Sequence, residues 1–410
     1  MRKRRVMCMI AALTMTVSMM TGCGNSNSKE STNGNLTTAK VTADAEAQSS
    51  DVSKLKVGVI YIGDENEGYT VAHMEGIEEM MEEYGLTEEQ VIEKSCIPED
   101  ESCYDAAVDL ADQGCDIIFG TSFGHEDYLI RAAQEFPDTQ FCHATGYQAA
   151  SSRLSNMHNY FDNIFEARYV SGVVAGMKIQ EMIDNGTITA DQAKMGYIGA
   201  FPYAEVVSGY TAFYLGAKSI VDSVTMEVKY TNSWADPSKE GEMATALISD
   251  GCILISQHAD TTGGPSVCET QGVPSVGYNV DMTSVAPNVA LTSPTNDWGT
   301  YYKYAVGCIL DGTDIDTDWC KGFADGAVGI TALGTACAEG TQEKVDEVIS
   351  AIKDGSLHVF DISTFTAGGK TVDSWKNAAG VEYIQDGYFH ESESISAPAF
   401  ELRIDGIVEN

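Results

Sequence analysis

Four aromatic residues, Tyr69, Phe123, Phe201 and Trp234, fall outside the apolar stripes of their surroundings, in polar loops or at helix starts. Carboxylates stand in the same kind of place, after apolar runs: Asp64, Asp127, Glu205, Asp260 and Asp281. Rings so placed stack on flat ligands, each base–aromatic face contributing about 1–3 kcal/mol. Carboxylates accept hydrogen bonds from a ring N–H, an exocyclic amine or a sugar hydroxyl, and such partners discriminate where an apolar pocket cannot. Ser122, Asn296 and Trp298 complete the candidate set. His73, one helical turn after Tyr69, and His258 are expected to support the site from behind. Each candidate has a competing role. A loop aromatic also packs one lobe on another, and a loop Asp such as Asp127 or Asp260 also caps a helix.

Bond-breaking chemistry finds no support. Ser122 and Ser256 are not in a G-x-S-x-G setting, and there is neither a Walker loop nor a G-x-G-x-x-G after the first apolar run. The neighbours His125, Glu126 and Asp127 point to different faces, so they make no metal cluster. Of eleven cysteines, Cys8 leaves with the export signal described below and Cys23 directly follows it. The remainder are odd in number and lack a C-x-x-C pair, so neither a complete disulfide framework nor a zinc site is expected. Cys115, Cys142, Cys252 and Cys308 sit in apolar runs, where a thiol behaves as a small hydrophobe. No enzyme activity, cofactor or metal is expected.

The elements that must position these residues read as α/β. Ala106–Asp127 runs from an amphipathic helix through Gly114 to the apolar run Cys115–Phe119 and the turn residues Gly120, Thr121, Ser122 and Gly124. Open parallel sheets bind ligands at that end of a strand. Glu242–Asp260 repeats the arrangement, Lys56-Val-Gly-Val-Ile60 returns as Lys194-Met-Gly-Tyr-Ile198, and Gly146-Tyr147 as Gly277-Tyr278, in the same order and at nearly one offset. A long period seen twice predicts two similar α/β halves. Strands are expected at 55–62, 91–96, 115–119, 140–144, 195–200, 226–230, 252–257, 275–279, 323–333 and 357–365. Helices alternate with them, including Phe165–Ile183, whose Ala167, Ser171, Gly172, Ala175 and Gly176 suit close packing. That alternation predicts parallel sheets with right-handed crossovers.

Outside the fold, Arg2–Arg5 and the apolar Val6–Met20 form an export signal, too short for a comfortable membrane span. It ends in Thr21-Gly22-Cys23, which looks like a bacterial lipobox and implies cleavage before Cys23 and lipid on its thiol. Residues 24–53, rich in Ser, Thr, Asn and Ala, read as a flexible tether. The expected plan is a signal over 1–22, a tether over 23–53, an N-terminal lobe over 54–158 with a return segment at 295–315, and a C-terminal lobe over 159–294. Residues 316–410 would pack on the lobes. With 61 acidic against 24 basic residues, a net charge of −37, the body will not hold nucleic acid by charge.

Gly68-Tyr69-x-x-x-His73, Gly120-Thr121-Ser122-Phe123-Gly124, Thr231-Asn232-Ser233-Trp234-x-Asp236-Pro237, Gln257-His258-x-Asp260, Gly277-Tyr278-x-x-Asp281-Met282 and Asn296-x-Trp298-Gly299 occur in this order. Together they resemble the BMP (basic membrane protein) family, lipoprotein solute-binding proteins of ABC importers related to the purine nucleoside receptor lipoproteins. The likeness covers about Lys54 to Leu310. It implies a type I periplasmic-binding fold, with two Rossmann-like lobes, a hinge crossed more than once, and a ligand held between them. It also implies an ABC permease and ATPase as partners, a position on the extracytoplasmic face of the cell membrane, and a ligand contact at Asp281. The nucleoside receptors place a Lys near the second crossover to reach ribose, whereas Thr292–Trp298 has none. That departure favours a purine base over a nucleoside. A ligand-sensing surface lipoprotein is the alternative. A sugar-binding protein of the same fold is another, for which Arg and Asn would be wanted at the strand ends, and the Arg residues near the loops, Arg131, Arg153 and Arg168, are not at one.

Overall fold

The structure, a computed structural model, describes residues 51–393 and 395–410. The expected signal, Cys23 and nearly all of the tether lie outside the described residues. The first half alternates β1 (Val57–Ile60), α1 (Gly68–Tyr84), β2 (Val91–Lys94), α2 (Glu101–Asp112), β3 (Ile117–Gly120), α3 (Glu126–Glu135), β4 (Gln140–Ala144), the short α4 (Ala149–Ser152) and β5 (Met157–Asp162). The second half follows with α5 (Ile164–Asp184), β6 (Lys194–Gly199), α6 (Ala204–Lys218), β7 (Thr225–Tyr230), α7 (Pro237–Ser249), β8 (Leu254–Gln257), α8 (Gly263–Gln271), β9 (Ser275–Val276) and β10 (Ala290–Thr292).

The first sheet has the strand order β2-β1-β3-β4-β5 and the second β7-β6-β8-β9-β10, all parallel. The internal repeat is thus a repeat of topology. Each sheet gains one further parallel edge strand from late in the chain. β12 (Asp318–Lys321) joins β5, and β16 (Ile407–Glu409) joins β7. Between the halves, β11 (Pro294–Asn296) pairs antiparallel with β13 (Val328–Ile330), so the chain crosses at β5 to α5, at β10 to α9 (Trp298–Asp311), and again after β12. The last helix is α10 (Thr341–Lys353), and a small hairpin pairs β14 (Ile384–Gln385) with β15 (Tyr388–Phe389).

Three expectations are corrected. The lobe boundary at 158/159 falls inside β5, and the return segment of the first lobe runs on into β12 rather than stopping at 315. β5 escapes a reading by apolar runs because it buries His158 and Asn159, and their partners come from distant segments. His158 reaches Asp316 O and Gln140 Oε1, and Asn159 Nδ2 donates to Glu126 Oε1. Residues 357–365 form turns with a single bridge rather than a strand. Their apolar members anchor an aromatic cluster in which Phe360 stacks on Phe400 at 4.4 Å, with Phe389 and Phe365 edge-on.

The small residues read on α5 do what close packing requires. A Cβ added at Gly172 would stand 2.0 Å from Phe213 O on α6, and one at Gly216 of α6 would stand 2.0 Å from Tyr169 O on α5. The two helices touch backbone to backbone, and no side chain can yield there. Gly172→Ala is therefore expected to destabilise the protein by about 1–3 kcal/mol, measured as a lower midpoint in urea unfolding. A parent-like midpoint would show that the helices separate freely.

Candidate functional site

The carboxyl ends of both sheets face a common cleft lined by Ile62, Glu67, Tyr69, Thr121, Ser122, Phe123, Thr145, Glu205, Trp234, His258, Asp260 and Tyr278. Ile62 follows β1, Thr121–Phe123 follow β3 and Thr145 follows β4. Trp234 follows β7, His258 and Asp260 follow β8, and Tyr278 follows β9. The halves meet across it, where Gly68 N donates to Asp260 O at 3.1 Å. Backbone strain collects at the same strand ends. Thr145, Asn232 and Asn279 take φ of 67°, 54° and 62°. For a β-branched threonine such a left-handed backbone is costly and persists only where the surroundings over-determine it. The Thr145 hydroxyl is buried and makes no hydrogen bond.

Tyr69 donates from its hydroxyl to Thr121 O at 2.7 Å and rests edge-on against His73 and Trp298 at 4.5 and 5.9 Å. His73 stacks on Trp298 at 4.2 Å and bonds Tyr302 Oη at 2.6 Å. Both lie wholly buried behind Tyr69. Trp298 does not reach the cleft: it is core. An aromatic chain runs along the mouth and crosses between halves. Tyr147 stacks on Phe123 (6.2 Å), Phe123 on Tyr203 (5.5 Å), and Tyr203 on Phe201 (5.1 Å), and Trp234 meets Phe201 edge-on (5.1 Å). Phe201 therefore backs Trp234 rather than lining the cleft.

Glu205, in the first turn of α6, holds His258 Nε2 at 3.1 Å, and the His258 ring lies 5.0 Å from that of Tyr278. Burial, then the nearby Arg168 cation, lowers the His258 pKa to about 4, so its ring is neutral near pH 7. Asp260 Oδ1 accepts from Asn279 Nδ2 at 2.8 Å. Burial pushes its carboxyl well above the usual range, with Glu67, Glu240 and Glu205 adding repulsion. Burial also raises Glu67, whose carboxylate accepts from the Thr70 hydroxyl.

Other expected residues are elsewhere. Asp64 turns away to accept from Asn66 N and Nδ2, both at 2.9 Å, and Glu67 of the same loop takes the cleft position. Asp127 is exposed and accepts from Gln148 Nε2 at 2.7 Å. Asp281 is exposed and caps a single helical turn by accepting from Thr283 N at 2.8 Å, the competing role of a loop Asp. Asn296 is buried in β11 outside the lining. Ser122 lines the cleft, but its hydroxyl donates to Glu99 Oε1 at 2.6 Å.

Sequence reasoning missed Glu67, Thr145, Tyr278 and Arg168. A signal existed for two of them, since Tyr278 belongs to the repeated Gly-Tyr segment and Thr145 stands directly before its first copy. Arg168 gave none, because it lies on a helix. Yet its Nη1 donates to Gln257 O at 2.6 Å, and its guanidinium carbon lies 3.6 Å from the Tyr278 ring centre. It reaches the strand ends from α5, which corrects the reading that no arginine does so. Among the described residues no group of side chains could hold a metal ion. No helix among them is long and apolar enough to cross a membrane.

Residues 54–358 match the family profile described as Bmp: ABC transporter substrate-binding protein PnrA-like. The chain is similar to a purine-binding protein of Brucella abortus, with 35% identity over 308 residues, 75% of this chain and 83% of that protein. It is also similar to a putative ABC transporter glucose-binding protein of Haloferax volcanii, with 29% identity over 338 residues and 82% of each chain. In fold it resembles an ABC transporter solute-binding protein from Conexibacter woesei, with a TM-score of 0.61 and 20% identity over 74% of this chain and 98% of that one. A second such structure, from Aeropyrum pernix, gives a TM-score of 0.62 at 15% identity over 75% and 93%. Proteins of this family are substrate-binding components of ABC transporters, not enzymes, and work with a small-molecule ligand and transporter subunits on the extracytoplasmic side. Its fold is therefore the type I periplasmic-binding fold, and the chain belongs to the Bmp family of PnrA-like ABC transporter substrate-binding proteins.

Proposed function

We propose that the protein captures a purine base in the cleft and presents it, lobes closed, to an ABC permease. The observation that carries this reading is the lining itself. Tyr69, Phe123 and Trp234 offer ring faces and edges, while Glu67, Glu205 and Asp260 offer acceptors, and no lysine or arginine interrupts them. An acceptor-rich slot between rings suits a flat heterocycle with N–H groups. The absence of a lysine at 292–298 favours a base over its nucleoside. The purine-binding name of the Brucella relative supports the same class. The glucose-binding name of the Haloferax relative keeps sugars in the test. A ligand contacting both halves favours the closed state by its differential affinity.

Calorimetric titration with adenine, guanine, hypoxanthine, their nucleosides, ribose and glucose is expected to show tight binding of a base and weak binding of its nucleoside. Trp234→Ala and Asp260→Ala should each weaken that binding tenfold or more, about 1.4 kcal/mol, while Asp281→Ala leaves it unchanged. Preference for a nucleoside or for glucose would move the ligand class. Equal binding by parent and Asp260→Ala would move the site. For the proposed lipid anchor on Cys23, full-length Cys23→Ser is expected to lose incorporation of labelled fatty acid and to appear in the medium. Retained label would place the lipid elsewhere.

A further inference from the structure

The row of rings along the mouth passes from one half to the other at one pair. Phe123 lines the cleft from the loop after β3, and Tyr203 stands directly before α6 of the other half. Their ring centres lie 5.5 Å apart with planes 27° from parallel, within the offset-stacked range that aromatic pairs favour. Each ring rides on a support of its own half. Glu99 Oε1 accepts from Ser122 Oγ at 2.6 Å and from Gly124 N at 2.8 Å, which fixes the loop on both sides of Phe123. Tyr203 O accepts from Val207 N at 3.0 Å, so Tyr203 moves with α6. The stack therefore exists only while the halves are together.

Tyr203 has no other evident task in the site. It is 42% exposed, it is not among the residues lining the cleft, and its side chain does not cap α6. Its contacts with Phe201 and Trp234, at 5.1 and 6.1 Å, stay within one half. What opening would change is the area it shares with Phe123, which water would then wet at a cost in free energy. We propose that Phe123 and Tyr203 form a latch across the mouth: the stack holds the halves closed with or without ligand, and Tyr203, without touching the ligand, slows its escape. The proposal rests on the reading of this cleft as the binding site.

The test begins without ligand, at an amide that reports opening. Gly68 is the first residue of α1 and so has no partner within the helix; its N–H is satisfied across the seam by Asp260 O at 3.1 Å. Its hydrogen exchange, followed by NMR, measures how often the halves part. In Tyr203→Ala that exchange is expected to quicken about three- to tenfold, the worth of one aromatic pair, while amides of β1 keep the parent rate. Tyr203→Phe, which keeps the ring, stays near the parent. Circular dichroism checks the folds, and Tyr203→Leu replaces the alanine variant if that does not fold. A Gly68 amide unprotected in the parent, a parent-like rate in the variant, or a rise shared by β1 overturns the proposal. With adenine as probe, Tyr203→Ala should release ligand faster by the same factor and take it up at least as fast as the parent. Faster release with unchanged Gly68 exchange would make Tyr203 a mere prop for Trp234 and also overturn it. If the parent ignores adenine, the purine reading fails, while the ligand-free exchange still decides the latch.

Discussion

In a parallel sheet every strand leaves at the same edge, and a right-handed crossover returns the chain to begin again at the other. That constraint orders this molecule. Once two such sheets are linked with their carboxyl edges facing, the loops after β1, β3, β4, β7, β8 and β9 have nowhere to go but into one seam. Residues as far apart in sequence as Thr121 and Tyr278 then line the same cleft. The second half holds its shape because α5 and α6 meet at glycines, where the backbones themselves are in contact. Between these walls the chain passes through the antiparallel β11–β13 ribbon, one of its crossings from half to half.

Dryness then sets the chemistry. Closing the seam takes Glu67 and Asp260 out of water, and burial pushes both carboxyls up. The same burial keeps His73 and His258 neutral, so each bonds a neighbouring side chain without adding charge. Polarity in the cleft is therefore carried by carboxyl groups held toward their neutral form, with aromatic edges between.

Residues beyond 358 lie outside the span of the family profile and have a structural job of their own. Ser396 donates to Asp318 on the edge strand of the first sheet at 3.0 Å from its backbone N–H. Soon afterwards β16 pairs with the edge of the second sheet, and Glu409 receives the hydroxyls of Tyr210 and Tyr230. An exposed sheet edge is a template for unwanted pairing. Here the C-terminal segment covers the β7 edge and touches the opposite lobe on the way.

Much of the fold was legible in local pattern. The duplicated apolar strands, the Gly stops and the small residues of α5 are statements about near neighbours, and near neighbours are what a sequence lists. β5 was hidden because His158 and Asn159 are paired by groups from distant segments. The site was legible in part. Tyr69, Phe123, Trp234, Glu205 and Asp260 are in the lining, since any polar or aromatic residue after a strand is a fair candidate. Which of two carboxylates in a loop turns inward was not legible. Asp64 and Asp281 satisfy themselves on backbone N–H groups within two residues, while Glu67 and Asp260 face the cleft. The sequence alone determined that two parallel α/β halves would carry aromatic and acidic loops at their strand ends. Only the tertiary structure decided which side chains share the cleft and that Arg168 lies under them, because both depend on a helix and two sheets approaching from far along the chain.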